Sequence, residues 1–404
     1  MISLARFSIR RPKTALAGWV IVAAVLSVLG LSVDHWVSPT VSASGTQSWH
    51  AQQLADAKFG PTQYMRLLLE GPKTQLDQQG PRLVVALTKR GNTRVISAWD
   101  AGAASAGLRP SPTAAMIVIS VAGTEKQVLK HDQPQINTII SQQIRPPVKA
   151  YLSSQPALDQ AVKDQSVQVL QNAALIAVGV LFLLLLLGLR APLAAALITI
   201  VAGTVTLSTF GVMTLLGKGG MEIDAISLAA GAIAGLSRGG SFSLMMLDRF
   251  HRQREAHPRA QAESLLPETV GTTGRAVLYA GTAMAASLLV IEILGPMNVV
   301  ATLGLSALLC TVLATGAAVV VIPAGLALFG DAAVTWRVPA PAALSRIWDR
   351  MVGVGGSIAR HPLAAGGLAT VALLVLAVPG LGATTGTQDI SVLPPGNQAR
   401  VAFE

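Results

Sequence analysis

Seven stretches of about twenty mainly apolar residues recur along this chain, at 14–33, 172–189, 192–216, 223–247, 276–294, 297–329 and 362–381. A hydrocarbon layer about 30 Å thick is crossed by roughly 20 residues of helix. Within lipid the backbone has to satisfy its own N–H and C=O groups, which a helix does by itself. The seven runs are therefore expected to be transmembrane helices. Composition leaves little else: 51% of the 404 residues are hydrophobic and 12% charged, too apolar a balance for a water-soluble domain of this length. The run from 297 is longer than a span requires, so its ends are expected to project or to tilt.

The basic residues give the orientation. Connections carrying Arg6, Arg10, Arg11 and Lys13, then Arg190, then Arg249, Arg252, Arg254 and Arg259, then Arg337, Arg346, Arg350 and Arg360 alternate with connections almost free of bases, such as Gly295-Pro296 and 217–222, where Lys218 stands alone. The N-terminus is expected in the cytoplasm of a bacterial cell, with the chain in its inner membrane. The net charge of +10 then reads as topology. A nucleic-acid partner is not expected, since aromatics make up 4% of the chain and no basic stripe is interleaved with them. The first run is longer than the roughly 7 to 15 apolar residues of a signal peptide, so it is expected to stay as an anchor despite the small-residue pattern Val41-Ser42-Ala43. Cys310 is the sole cysteine and falls inside the sixth run. It offers no disulfide framework and reads as a small packing residue.

Between the first two runs lies a polar segment, 35–171, which this orientation puts outside the cytoplasm. Strands are expected at 65–71 and 95–100 around a helix at 74–90, and again at 114–121 and 147–153 around a helix at 125–144. Two strand-helix-strand units make the split arrangement of a ferredoxin-like sandwich. The steps Gly71-Pro72, Gly80-Pro81 and Pro146-Pro147 read as turns or helix starts. Gly80-Pro81 falls inside the first helical stretch, so that helix is expected to begin nearer Pro81.

A long-range echo adds to the plan. The string Val-Leu-Ser-Val-Leu-Gly-Leu, starting at Val25, returns as Val-Leu-Ala-Val-Pro-Gly-Leu starting at Val375, 350 positions later. Each copy closes an apolar run, and each run opens after a proline beside a base, Arg11-Pro12 and His361-Pro362. A large unit is expected to be starting again, which makes the chain the first half of a duplicated transporter with the opening of the second. The expected plan is a cytoplasmic N-terminus and first span at 1–34, an extracytoplasmic domain at 35–171, five spans at 172–330, a cytoplasmic connection at 331–361, a seventh span at 362–381 and the start of a second external domain at 382–404.

This order resembles the resistance-nodulation-division superfamily and, within it, the mycobacterial membrane protein large (MMPL) transporters. The sharpest local likeness lies in the fourth run, where Gly235-Leu236-Ser237 opens a segment that closes with Asp248-Arg249-Phe250. It is similar to the family pattern of a glycine-rich turn, an Asp-Tyr pair, an apolar helical stretch and Arg-Phe or Arg-Tyr at the cytoplasmic edge. Gly274-Arg275-Ala276-Val277 before the fifth run, Pro323 in the sixth and Ser391-Val392-Leu393-Pro394-Pro395 near the chain end match as well. The resemblance implies a ferredoxin-like porter domain, about seven transmembrane helices in a polytopic α-helical protein, and export of hydrophobic small molecules or lipids.

Where the family carries Asp-Tyr, this chain has Ser241-Phe242. The resemblance makes that carboxylate a proton carrier in the membrane, and serine does not titrate. Asp224 and Glu292 fall near the external ends of their runs and Asp248 at the cytoplasmic edge, so no replacement acid is expected at mid-membrane. Arg238 stands one turn before Ser241, about 4 to 5 Å past the middle of its run. An unpaired guanidinium there costs from about 3 to over 10 kcal/mol. Three readings stay open: a fixed cation facing an acid of another set of helices, snorkelling to the cytoplasmic headgroups, or drift in a protein that has lost its drive. Gly235, Gly239 and Gly240 are expected to allow close helix approach or local unwinding.

Thr199, Thr204, Thr206, Ser208 and Thr209 are expected to bond their own helix backbone or a neighbour rather than ligate an ion. No His-Glu-x-x-His, P-loop, paired-cysteine or nucleophile-elbow pattern occurs, so the chain is not expected to be an enzyme or to hold a cofactor or metal. Its expected partners are membrane lipids, a hydrophobic or lipid substrate, and a second half or further copy. The alternative to export is a transport-inactive relative acting as a membrane scaffold or regulator.

Overall fold

The computed structural model describes residues 7–33, 37–38, 46–102, 105, 107–294, 298–329, 332 and 362–381. Its first helix, α1, spans Pro12–Gly30. Proline fits the first turn because its missing N–H would have no partner within the helix. Beyond α1, Ser38 N donates to the Ile223 carbonyl at 2.6 Å, which ties the chain to the residues just before a later helix.

The polar segment begins with α2 (Gln47–Phe59), capped by the Thr46 hydroxyl, which accepts from Trp49 N at 3.3 Å. Then come β1 (Thr62–Glu70), α3 (Lys73–Thr88), β2 (Thr93–Ser97), β3 (Ala114–Ala122), α4 (Gln133–Gln143) and β4 (Lys149–Ser154). The strand order is β2-β3-β1-β4 with every neighbouring pair antiparallel. Each strand–helix–strand unit thus straddles a strand of the other. The alternation of strand side chains decides which face is covered. Met65, Leu67 and Leu69 of β1 and Ile117, Ile119 and Val121 of β3 are fully buried, while Tyr64 and Ile96 on the opposite face are exposed. Leu76, Leu83 and Leu87 of α3 and Ile136 and Ile140 of α4 cover the buried face at helical spacing. Each such side chain contributes roughly 1.5–3 kcal/mol by leaving water. Asp132 closes one corner, accepting from Arg90 Nη2 at 2.6 Å and Asn92 Nδ2 at 2.9 Å.

On its C-terminal side no linker separates this unit from the membrane helices. β4 ends at Ser154, and α5 (Gln155–Leu189) starts at the next residue, the Ser154 hydroxyl accepting from Ala157 N at 3.1 Å. At 1.5 Å per residue, 35 residues span about 52 Å, well beyond a core of about 30 Å. The bundle continues with α6 (Pro192–Lys218), α7 (Ala225–Ala256), α8 (Ala262–Thr269), a π turn at Val270–Gly274, α9 (Arg275–Leu294), α10 (Asn298–Phe329) and α11 (Pro362–Leu381). Its core lies among α6, α7 and α10, with Ile198, Phe242, Met246, Phe250, Ala314 and Ile322 at the centre. α1 docks on α6 through glycines: a Cβ on Gly30 would overlap the Leu207 carbonyl, and one on Gly211 would overlap the Leu26 carbonyl. Thr214 Oγ1 donates to the Leu29 carbonyl at 3.1 Å across the same crossing. α5, α9 and α11 turn many large apolar side chains outward, including Leu184, Ile293 and Leu376. A surface like that belongs against lipid or further helices.

Among the described residues, five helices are long and apolar enough to cross a membrane: α1, α5, α6, the stretch through α9, and α10. The two other expected runs are helical too. α7 falls short in hydropathy because Arg238 and the Gly-Ser stretch around it interrupt its apolar character, and the apolar part of α11 is Leu363–Val378. The helix expected to begin near Pro81 starts instead at Lys73 and carries Pro81 in its interior. Gly80 serves packing there, since a Cβ on it would overlap the Trp99 ring. The expected connection 331–361, apart from Ala332, and the segment 382–404 with the Ser391–Pro395 motif lie outside the described residues.

Candidate functional site

The middle of α7 is built from small residues because three helices meet there. A Cβ on Gly235 would overlap the Thr206 hydroxyl, one on Gly239 would come within 2.8 Å of Ala202 Cα, and one on Gly231 would overlap the Ser306 hydroxyl. α7 therefore lies close to α6 on one side and α10 on the other. Gly240 faces α5 more loosely, its nearest neighbour being Leu181 at 3.7 Å.

Arg238 projects from this crossing half-buried, and its Nε and Nη1 are buried without a hydrogen-bond partner. Ser241 is exposed, whereas Phe242 packs into the bundle core. A helix turns about 100° per residue, so the two positions expected to correspond to an Asp-Tyr pair look in different directions. Arg238 and Ser241, placed on one face by their spacing, also differ in burial. The α6 hydroxyls divide. Thr204, Thr206 and Thr209 donate to the carbonyls of Val201, Ala202 and Val205 at 2.9 to 3.0 Å. The hydroxyls of Thr199 and Ser208, with Ser243 and Ser306, are buried and unpartnered. Cys310 Sγ donates to the Gly231 carbonyl at 2.9 Å and lies 3.1 Å from the Thr209 hydroxyl, which makes the thiol part of the α7–α10 contact.

The acids stay at the ends. Asp224 caps α7: its Oδ1 accepts from Ser227 N and its Oδ2 from the Thr302 hydroxyl, each at 2.8 Å. Glu292 sits near the end of α9 with Oε2 buried and unpartnered. Asp248 pairs with Arg252 at 2.9 Å. Among the described residues no carboxylate forms a salt bridge with Arg238. No group of three His, Cys, Asp or Glu residues that could hold a metal ion occurs among them either.

A feature that the sequence reading passed over lies on the other side of α7. Between α5 and α7 runs a groove of about 740 Å³, from Lys163, Ser166 and Asp224 at one end to Leu181 and Ser237 at the other. Ala173, Ala174 and Ala177 of α5 face Ala225, Ala229 and Ala232 of α7 across it. Small residues on facing helices usually mark close packing. Here they leave a gap, because α7 is drawn toward α6 and α10 by its glycines.

Comparison with known proteins places this architecture. The sequence profile of the MMPL family matches residues 40–365. The chain belongs to the MMPL family. Two relatives match in part. A membrane protein of Streptomyces coelicolor is 28% identical over 264 residues, 63% of this chain and 35% of that protein. The mycolic acid-containing lipids exporter MmpL11 of Mycolicibacterium smegmatis is 29% identical over 225 residues, 54% of this chain and 23% of that protein. The matches thus span about a third or less of these relatives. MMPL proteins are membrane transporters rather than enzymes, and this chain is a multi-pass membrane protein of that family.

Proposed function

We propose that this chain is part of an exporter of lipids or hydrophobic small molecules whose own relay position has lost its acid. In this reading seven helices cross a bacterial inner membrane from a cytoplasmic N-terminus, and the β2-β3-β1-β4 unit is a ferredoxin-like porter domain outside. The name of the Mycolicibacterium relative favours a lipid substrate. The observation that carries the transport reading is α5. It runs without a break from β4 into the bundle and forms one wall of the groove, and in this reading it is the element that would carry a tilt of the external sheet to the groove. The outward stripe of α7, with Ile226, Ile233 and Met245 exposed, offers a seat for further helices from a second half or another copy. Drive would have to come from there, because Ser241 cannot carry a proton.

The outward-facing Ser241 beside an unpaired Arg238 also favours a second reading, a transport-inactive scaffold. Deleting the gene from its native cell and tracing radiolabelled lipids separates the two. Export predicts one lipid class missing from the cell surface and accumulating in the inner membrane, restored by the unaltered gene. A scaffold predicts no accumulation, with falling amounts of other membrane proteins. An unchanged lipid distribution contradicts export.

A further inference from the structure

Arg238 holds a charge near the middle of α7, and its surroundings say what kind of group would pair with it. Its Nε and Nη1 are buried without a hydrogen-bond partner, yet the side chain as a whole is half-buried, so part of it stays open at the α7 surface. Its charge also reaches the Cys310 thiol, which donates to the Gly231 carbonyl two turns nearer the Asp224 end. The side chain therefore leans toward that end, as the tilt of the Cα–Cβ bond favours. Snorkelling would take it the other way, toward Asp248. A guanidinium kept at this depth needs an anion to offset its desolvation.

The acids of this chain lie too far away to serve. Along α7, Asp224 stands about 21 Å from Arg238 in helical rise and Asp248 about 15 Å on the opposite side. Glu292 follows Ile291, which packs against Gly304 close to the Asp224–Thr302 bond. Arg249, next to Asp248, pairs with Glu268 at 3.4 Å. The runs at 14–33, 172–189, 192–216, 297–329 and 362–381 contain no acid at all. A second copy of the chain would thus bring no carboxylate to the depth of Arg238 either.

The surface beside Arg238 suits a helix. Ile226, Ile233, Ser237, Ser241 and Met245 are exposed at helical spacing. Ser237 and Ser241, one turn apart on either side of Arg238, are small enough for close approach. The Ser237 hydroxyl turns back to the Ala234 carbonyl at 3.3 Å. The Ser241 hydroxyl is exposed, which leaves it open as a donor.

We infer that α7 docks a transmembrane helix of a partner with one Asp or Glu at mid-depth, whose carboxylate accepts from the Arg238 guanidinium and the Ser241 hydroxyl. The inference rests on the part of the exporter reading that seats further helices on α7 and not on transport itself, so it holds equally for a scaffold.

The full chain would be reconstituted in vesicles at about pH 8 with dye-labelled single-span peptides of leucine and alanine that carry Asp, Asn or Lys at the centre. Association would be read by energy transfer from a dye on the chain. A polar contact between helices in lipid is worth up to about tenfold in association. The Asp peptide should therefore bind about tenfold more tightly than the Asn peptide, and the Lys peptide no better than Asn. Arg238→Met should remove the Asp preference, and Ser241→Ala should lower it about threefold. Arg238→Glu should transfer the preference to the Lys peptide, a result that misfolding cannot imitate. Equal binding of the Asp and Asn peptides, or an Asp preference that survives Arg238→Met, overturns the inference. A preference lost when chloride replaces gluconate gives the guanidinium to a free anion and overturns it as well. No lipid is moved in this test, so its failure leaves the exporter reading to its own lipid-tracing test.

Discussion

Glycines on α7 divide sharply by what a methyl group would meet. At Gly239 it would stand 2.8 Å from the Ala202 backbone, while at Gly240 the nearest atom is 3.7 Å away on a flexible leucine. Gly239→Ala should therefore lower stability by about 1–3 kcal/mol through overpacking. Gly240→Ala should stay within about 0.5 kcal/mol of the original. Thermal unfolding of the two variants in the same detergent checks this, and equal midpoints would show that α6 and α7 do not cross as described. At this scale the sequence showed which residues are chemically odd, Arg238 and the Ser241-Phe242 pair, because a charge or hydroxyl in an apolar run stands out. It did not show that Arg238 is half-buried while Ser241 faces outward. Spacing along one helix says which residues are near each other but not which neighbour covers them.

Elements were legible wherever periodicity is set by a buried face. β1 and β3 were expected as strands, but Leu68 and Val118 are as apolar as their neighbours, so the sequence did not tell that Met65, Leu67 and Leu69, with Ile117 and Ile119, form the buried face. α3 was misread at Pro81 because the residue that explains Gly80-Pro81, Trp99, comes from a later turn. The groove was invisible for a similar reason: alanines of two helices look alike whether they touch or stand apart. The turn that holds Trp99 carries its own test. Asp77 accepts from Trp99 Nε1 at 2.9 Å and from Arg109 Nη2 at 2.6 Å. These bonds, the Trp99 one foremost, hold its carboxyl below the usual carboxylate range. A carboxyl depressed on folding adds stability above its unfolded pKa of about 3.9 and loses that contribution as pH falls through the folded value. The midpoint of the α/β unit should therefore drop as pH is lowered from about 5 to about 3. In Asp77→Asn the midpoint should start lower and drop less. A parallel loss in both proteins would show that other carboxylates dominate the acid limb.

For the molecule as a whole, the alternation of bases predicts one topology, and single-cysteine labelling in a Cys310→Ser background reads it directly. Ser264, exposed on α8, is predicted on the cytoplasmic side. In intact cells Ser264→Cys should resist a membrane-impermeant thiol reagent, and Thr138→Cys on α4 should react. The reverse pattern would turn the protein over and with it the leaflet that the groove faces. The architecture was readable from hydropathy because a lipid environment leaves few alternatives. In the proposed reading, what drives such a chain is set by one or two side chains, Ser241 and Phe242 standing where the resemblance implies Asp-Tyr. The central claim is that the bundle described here has no proton carrier of its own and that Arg238 occupies the ground beside the lost one. Proton uptake in reconstituted vesicles tests it most directly, comparing the original chain, the double variant Ser241→Asp with Phe242→Tyr, and a triple variant that adds Arg238→Val. The account predicts no uptake by the original, little by the double variant because Arg238 one turn away pairs with the new carboxylate, and clear uptake by the triple. Uptake by the unaltered chain would contradict the claim, and equal uptake by the double and triple variants would take Arg238 out of it.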